Sequence, residues 1–244
     1  MTPRVSVVIP CHDDGVHLEE AVSSVLAQSF DDFEIVVADD GSSDEATARV
    51  LRSLDRSRTT VLRLAHGGVA RARNEAIREA RGEYVLPLDA DDRIAAAHLE
   101  KTTAVLDAGP EVGIVDCEAD LCGEASGPWL RPPFSMPELL LGNTIAPCSL
   151  FRRADFERTR GYDPGMRDGW EDFDLWLSIL ELGRSVARVP DTLLHYRVRR
   201  GSRSDLMGRR RWPAAYRRLL WNHPALYARH PTILPRLLWK LVVP

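Results

Sequence analysis

Gly82 to Asp92 reads Gly-Glu-Tyr-Val-Leu-Pro-Leu-Asp-Ala-Asp-Asp, an apolar strand pattern that runs straight into the carboxylates of Asp89, Asp91 and Asp92. Acids crowded at a strand end repel one another, and a cation among them relieves the repulsion. Hard oxygen ligands suit Mg²⁺ or Mn²⁺, and an Asp-x-Asp pair leaves coordination positions open for a substrate diphosphate. The same residues also suit a polar turn in which an Asp caps a helix starting near Ile94. A second acidic pair, Glu171-Asp172, follows Gly169-Trp170 and opens a run that buries Leu175, Trp176, Ile179 and Leu180. At a helix N-terminus these carboxylates are favoured by the dipole and held in a fixed place, as caps or as reactive groups.

The elements that must position these acids alternate in type. Arg4 to Ile9 is a β-branched strand stopped by Pro10, and Cys11 to Gly15 is a polar turn. Leu18, Ala21, Val22, Val25 and Leu26 then fall on one helical face. Phe33 to Ala38 is a second core strand ending in Asp39-Asp40-Gly41-Ser42-Ser43-Asp44, where Ser42 and Glu45 have capping-box spacing. A short strand near Val61 to Leu64 and a helix from Gly67-Gly68 through Ala70, Arg73, Asn74 and Ile77 lead back to the acid-tipped strand. This order predicts an α/β fold, a Rossmann-like, mostly parallel sheet flanked by helices. Ligands of such sheets bind outside the carboxyl ends of the strands, so the three polar turns should converge on one crevice. The Gly-rich dinucleotide fingerprint and the P-loop are both missing, which disfavours a dehydrogenase and a P-loop ATPase.

Five blocks carry a resemblance: Val5 to Asp14, Val36 to Asp44, Gly68 to Ile77, Gly82 to Asp92 and Gly169 to Trp176. In this order and spacing, over roughly residues 3 to 200, the chain resembles a family 2 glycosyltransferase of the GT-A fold. The resemblance implies a nucleotide-sugar donor, a divalent cation (Mn²⁺ or Mg²⁺) and inversion at the anomeric carbon. It implies that Asp40 hydrogen-bonds the nucleotide base, and a carboxylate suits the ring N–H of uracil or thymine. Pro10 would shape the same pocket, and Ala90 would lie against the donor. Arg73 and Asn74 would reach the nucleotide or diphosphate. Asp91 would be the metal ligand, with Asp89 contacting the ion through water or the donor's ribose, and Asp92 only a helix cap. Asp172 would be the general base toward an acceptor hydroxyl, with Glu171 positioning it. Where some members supply a metal-binding His, this chain has Arg199; His195 lies nearby on a strand, and Arg199 or Arg200 could instead pair with the diphosphate. A sugar-phosphate nucleotidyltransferase would need a basic Gly-rich loop after the first strand, and a non-catalytic scaffold would not need Asp91 and Asp172 intact.

The 244 residues, 44% hydrophobic, suffice for a sizeable core. We expect a GT-A domain over 1–200, with a nucleotide half at 1–92 and an acceptor half at 93–200, and a basic aromatic helical extension over 201–244. No secretory segment opens the chain and no run reaches spanning length, which leads to an expected cytoplasmic location. Cys11, Cys117, Cys122 and Cys148 are scattered without a C-x-x-C pair and point to neither a disulfide framework nor a zinc site. From Arg197 onward eleven arginines and Lys240 face only Asp205, so this stretch carries +11 against −15 for the rest. Arg209-Arg210-Arg211-Trp212, Tyr216 to Trp221 and the apolar stretch Leu234 to Val243 suit peripheral contact with an anionic membrane and a carbohydrate or lipid-linked acceptor, or packing on the catalytic domain or a second subunit. No nucleic-acid-binding module accompanies the basic patch.

Overall fold

The computed structural model describes residues 2–54, 58–167, 169–201 and 211–242; Ser202, Asp205, Arg209, Arg210 and Val243 of the basic segment lie outside the described residues. The first half alternates as β1 (Val5–Cys11), α1 (Gly15–Leu26), β2 (Phe33–Asp39), α2 (Glu45–Ser53), β3 (Thr59–Arg63), α3 (Val69–Glu79) and β4 (Tyr84–Pro87). These strands pair in parallel in the order β3-β2-β1-β4. Every residue of β1 and β2 is buried, as a sheet covered on both faces requires. Val5, Val7 and Ile9 belong to one core with α1, while Val8 points into the other with α3, which is the period-two alternation of a strand.

The second half adds β5 (Arg93–Ile94), α4 (His98–Ala108), β6 (Val112–Gly123), β7 (Gly127–Pro128), α5 (Met136–Leu141), β8 (Leu150–Arg152), α6 (Arg153–Phe156), α7 (Glu171–Glu181) and β9 (Ser185–Val198). β8 joins the two halves by pairing antiparallel with both β4 and β6. β6 runs parallel to β9, and β5 returns antiparallel on β9. The long β9 therefore delivers Arg197 at its end and Arg199 just beyond it beside the acidic tip that follows β4.

Three local expectations are corrected. Helix α2 is capped by Asp44, whose side chain accepts from Thr47 N at 2.8 Å, and not by Ser42. The reason is that Asp39 already holds Ser42 N and Asp13 holds the N–H groups of Ser43 and Asp44, so the chain stays in a turn two residues longer. No helix begins at Ile94: Arg93 and Ile94 are strand, α4 starts at His98, and Asp92 instead accepts Arg197 N at 2.8 Å. Leu26, expected on the buried face of α1, is 37% exposed at the last turn.

The basic segment folds back onto the domain. It forms α8 (Trp212–Asn222), α9 (Pro224–Ala228) and α10 (Ile233–Val242). Tyr216, Leu219, Leu226, Tyr227, Ile233 and Leu237 are buried in the same core as Phe173 and Trp176 of α7. His223, fully buried, ties the α8–α9 junction to α7 through Glu181 (2.9 Å) and Asp174 (3.1 Å). Trp221, Leu238 and Trp239 remain exposed. No helix among the described residues is long and apolar enough to cross a membrane.

Candidate active site

A cleft of about 1300 Å³ runs along the carboxyl ends of β1, β2 and β4 to the start of α7. Pro10, Asp40, Arg73, Asp89, Ala90, Asp91, Glu171 and Asp172 all line it, so the three polar turns and the second acidic pair meet. Asn74 does not line it. Its amide donates to Tyr162 O at 2.8 Å and accepts from Tyr162 N at 2.9 Å, which fixes the loop before α7 rather than a ligand.

At one end, Asp40 is 3% exposed and accepts the N–H groups of Gly67 and Gly68, each at 2.8 Å. Its carboxylate therefore shapes the turn into α3, where Gly68 takes a φ of 88° that a side chain would resist. The imidazoles of His12 and His66 stack above it with centroids 4.3 Å apart, and each ring nitrogen Nδ1 lies 3.0 Å from Asp40 O. Flat rings beside a buried carboxylate offer an outer face as one side of a slot suited to a planar base. Among the described residues, His12, Asp40 and His66 are also the group of three metal-ligand types with atoms within 4.8 Å of one another. Asp40 there is already engaged by two backbone donors, which favours the slot over an ion.

At the centre, the β4 tip carries excess negative charge. Burial, then the charge of Asp89, raises the Asp91 carboxyl above its ordinary value, and Arg199 opposes the rise. Asp92 is pushed up well beyond its ordinary value by burial and by Asp89 and Asp91, and its Oδ2 is buried without a hydrogen-bond partner. Arg199 Nη2 sits 2.6 Å from Asp91 and 2.7 Å from Asp14. Crowded carboxylate oxygens fit a hard divalent cation, and Asp91 and Asp89, each also paired with an arginine, are the residues that could hold it. His195 takes no part: its Nδ1 pairs with Asp120 at 2.7 Å.

Arg73 joins the two acidic motifs. Its side chain is 3% exposed, with Nη1 on Glu171 at 2.8 Å and Nη2 on Asp89. Both forks are thus committed to carboxylates, where a diphosphate contact was expected. Glu171 correspondingly serves this bridge.

At the far end, Asp172 opens α7 after Trp170, whose φ of 68° is left-handed, an uncommon strain for a bulky residue next to a site. Trp170 is held there by Phe173, Trp212 and Tyr216. Burial first, and then the charge of Glu171, pushes the Asp172 carboxyl up to about 6. Asn143 donates to Asp172 Oδ2 at 2.8 Å. The loop bearing Asn143 is anchored by the buried Asp116 with Arg131 and Arg188, both of which also donate to Thr144 O. Asn143 and His66 were invisible as site residues in the sequence, because neither belongs to a motif that spacing alone would mark, and Trp170, inside the Gly169 to Trp176 block, was assigned no role there.

The family model described as Glycosyl transferase family 2 matches residues 6–160. The O-antigen biosynthesis protein RfbC of Myxococcus xanthus is 31% identical over 80% of this chain and 16% of its own length. TuaG of Bacillus subtilis (strain 168), a glycosyltransferase provisionally named for teichuronic acid biosynthesis, is 31% identical over 87% of this chain and 84% of its own. Of the protein y4gI of Sinorhizobium fredii, 33% identical, the chain spans 21%, so it covers only about a fifth or less of y4gI and RfbC. Among solved structures, S. aureus TarS 1-349 in complex with UDP-GlcNAc has a TM-score of 0.76 at 20% identity, covering 97% of this chain and 72% of that one. The mannosyltransferase PcManGT of Pyrobaculum calidifontis, in complex with GDP-Man and Mn²⁺, has a TM-score of 0.65 at 21% identity, covering 98% and 74%. The fold is GT-A, and the chain belongs to glycosyl transferase family 2.

Proposed function

We propose that the chain transfers a sugar from a nucleoside diphosphate, uridine or thymidine in preference to guanosine, to a hydroxyl acceptor with inversion. One observation carries this reading: Asp91 and Asp172, on elements eighty positions apart in sequence, line the same cleft. The donor base packs against an outer face of the His12–His66 stack, where the remaining lone pairs of Asp40 accept its ring N–H. Asp91, helped by Asp89, would hold Mn²⁺ or Mg²⁺, and the bound ion would supply Lewis-acid stabilisation of the leaving diphosphate.

Asp172 takes the acceptor proton as that oxygen bonds to the anomeric carbon and the bond to the diphosphate breaks. A carboxyl raised to about 6 is ionised at neutral pH yet basic enough to assist, close to the optimum for a general base. Asn143 and the Arg73–Glu171 bridge orient it. The family of the chain and the nucleotide sugars bound to TarS and PcManGT support the donor class.

The exposed Leu238 and Trp239 of α10 suit peripheral contact with a membrane at its cytoplasmic face, and with it a lipid-linked or glycan acceptor. Calorimetry with UDP and Mn²⁺, repeated on Asp91→Ala, tests the core of the proposal. Nucleotide binding that ignores the metal and the substitution would falsify it.

A further inference from the structure

A second cleft of about 380 Å³ lies between helix α8 and the turn that carries Gly165, Met166 and Arg167. It shares Met166, Arg167 and Gly169 with the large cleft, which Asp172 also lines, so the two adjoin along this turn. On α8, Arg217, Arg218 and Trp221 fall at spacings of one, three and four and present one face to it. The opposite face, Tyr216 and Leu219, is buried in the core, so α8 is fixed and its polar face is held open.

Among the described residues the charge here is not balanced internally. Arg218 is spent on Asp163, with Nε at 2.7 Å and Nη2 at 3.0 Å. Burial would raise the Asp163 carboxyl, but its bonds from Arg218 and Asn222 override this and hold it down to about 2, so that pair is firmly ionised and mutually neutral. Arg167 and Arg217 have no acidic partner among the described residues. Both are exposed, and Trp221 beside them is 80% exposed. A guanidinium fork binds carboxylate or phosphate oxygens, and a bare indole offers an apolar plate to the C–H face of a sugar ring. The two together, beside the large cleft, suit a carbohydrate that carries negative charge.

We propose that this cleft is the outer part of the acceptor site and binds an anionic group, carboxylate or phosphate, of a carbohydrate acceptor. Arg167 and Arg217 take the anion and Trp221 stacks the sugar. The inference rests on the transferase reading only for the word acceptor; binding of a charged glycan is measured without turnover.

The test is calorimetry on the full chain saturated with UDP and Mn²⁺, using trigalacturonate, glucose 6-phosphate and neutral maltotriose as probes. The carboxylated and phosphorylated arms distinguish the two anion sources. At least one acidic probe should bind about tenfold more tightly than maltotriose, and the Arg167→Ala/Arg217→Ala double variant should erase that margin. Trp221→Ala should weaken acidic and neutral probes alike. All three side chains are exposed, so the variants keep the fold, and unchanged UDP affinity in each checks that the donor site is intact. Equal binding of acidic and neutral probes would overturn the proposal, as would an arginine variant that loses UDP instead. So would binding to anionic phospholipid vesicles, lost with Arg217 and Trp221, in the absence of any oligosaccharide binding. If acidic probes bind and UDP does not, the site stands and the transferase reading fails.

Discussion

Arg199 Nη2 lies 2.6 Å from Asp91 Oδ2, so the end of β9 supplies a cation to the acidic tip beyond β4. The same nitrogen reaches Asp14 at 2.7 Å, and Arg199 is thereby a resident counter-charge at the position proposed for a divalent ion. An ion and a guanidinium cannot occupy one carboxylate oxygen at full strength, so each weakens the other. Arg199→Met should tighten Mn²⁺ binding to the nucleotide-free protein by about tenfold, worth about 1.4 kcal/mol. Electron paramagnetic resonance of free Mn²⁺ reads this directly. Equal Mn²⁺ affinity in wild type and variant would mean that Arg199 does not compete.

The Asp172 carboxyl, raised to about 6, sets an acid limb on activity. Below that pH the group is protonated and cannot accept, so transfer should fall about tenfold per pH unit. Asn143 donates to Asp172 Oδ2 and so favours the ionised form. Asn143→Ala should move the limb to higher pH and lower the rate at pH 6 more than at pH 8. Asp172→Asn should abolish transfer while donor affinity persists. Initial rates across pH 5 to 9, compared among the three proteins, decide it.

Much of this architecture could be read from the chain because it is local. The run from β1 to β4 announces itself through β-branched strands, one apolar helix face and acids at the strand ends. Helix α7 does so through Glu171-Asp172 and its apolar face. What could not be read depends on partners chosen by the fold. Arg73 meets Glu171 across ninety-eight positions, and Asn143 meets Asp172 only because a buried Asp116 pins the loop between them. Ser42 looked like a cap until Asp39 and Asp13 claimed the turn's N–H groups. Arg93-Ile94 looked like a helix start, but β9 offers it a strand edge. For the basic segment the sequence left membrane contact and packing on the domain both open, and the fold packs Tyr216 and Tyr227 into the core under α7 while Trp221 and Trp239 stay exposed.

Arg73 is the buried cation on which two acidic motifs converge, and its Nε is left without a partner. Removing it leaves Asp89 and Glu171 facing each other in a low-dielectric site. Breaking a buried ion pair from one side costs about 3–5 kcal/mol. Arg73→Met should therefore lower the urea midpoint sharply. Arg73→Lys should recover only part of the loss, because an ammonium cannot present two parallel N–H forks. Urea titrations of both variants at pH 7.5 measure the difference.

His223 makes stability fall as the solution becomes more alkaline. Burial alone would lower its pKa, but hydrogen bonds to Asp174 and Glu181 and their charges raise it above the ordinary 6.5. A raised value in the folded state means that the imidazolium stabilises fully below 6.5, the value in the unfolded chain, and that this contribution is lost as pH rises through the folded value. His223→Gln, which cannot carry the charge, should be less stable than wild type at pH 6 and should close the gap with increasing pH. Thermal melts of both proteins from pH 6 to pH 9 should converge at the alkaline end. A gap that stays constant across this range would show that His223 is neutral in the fold.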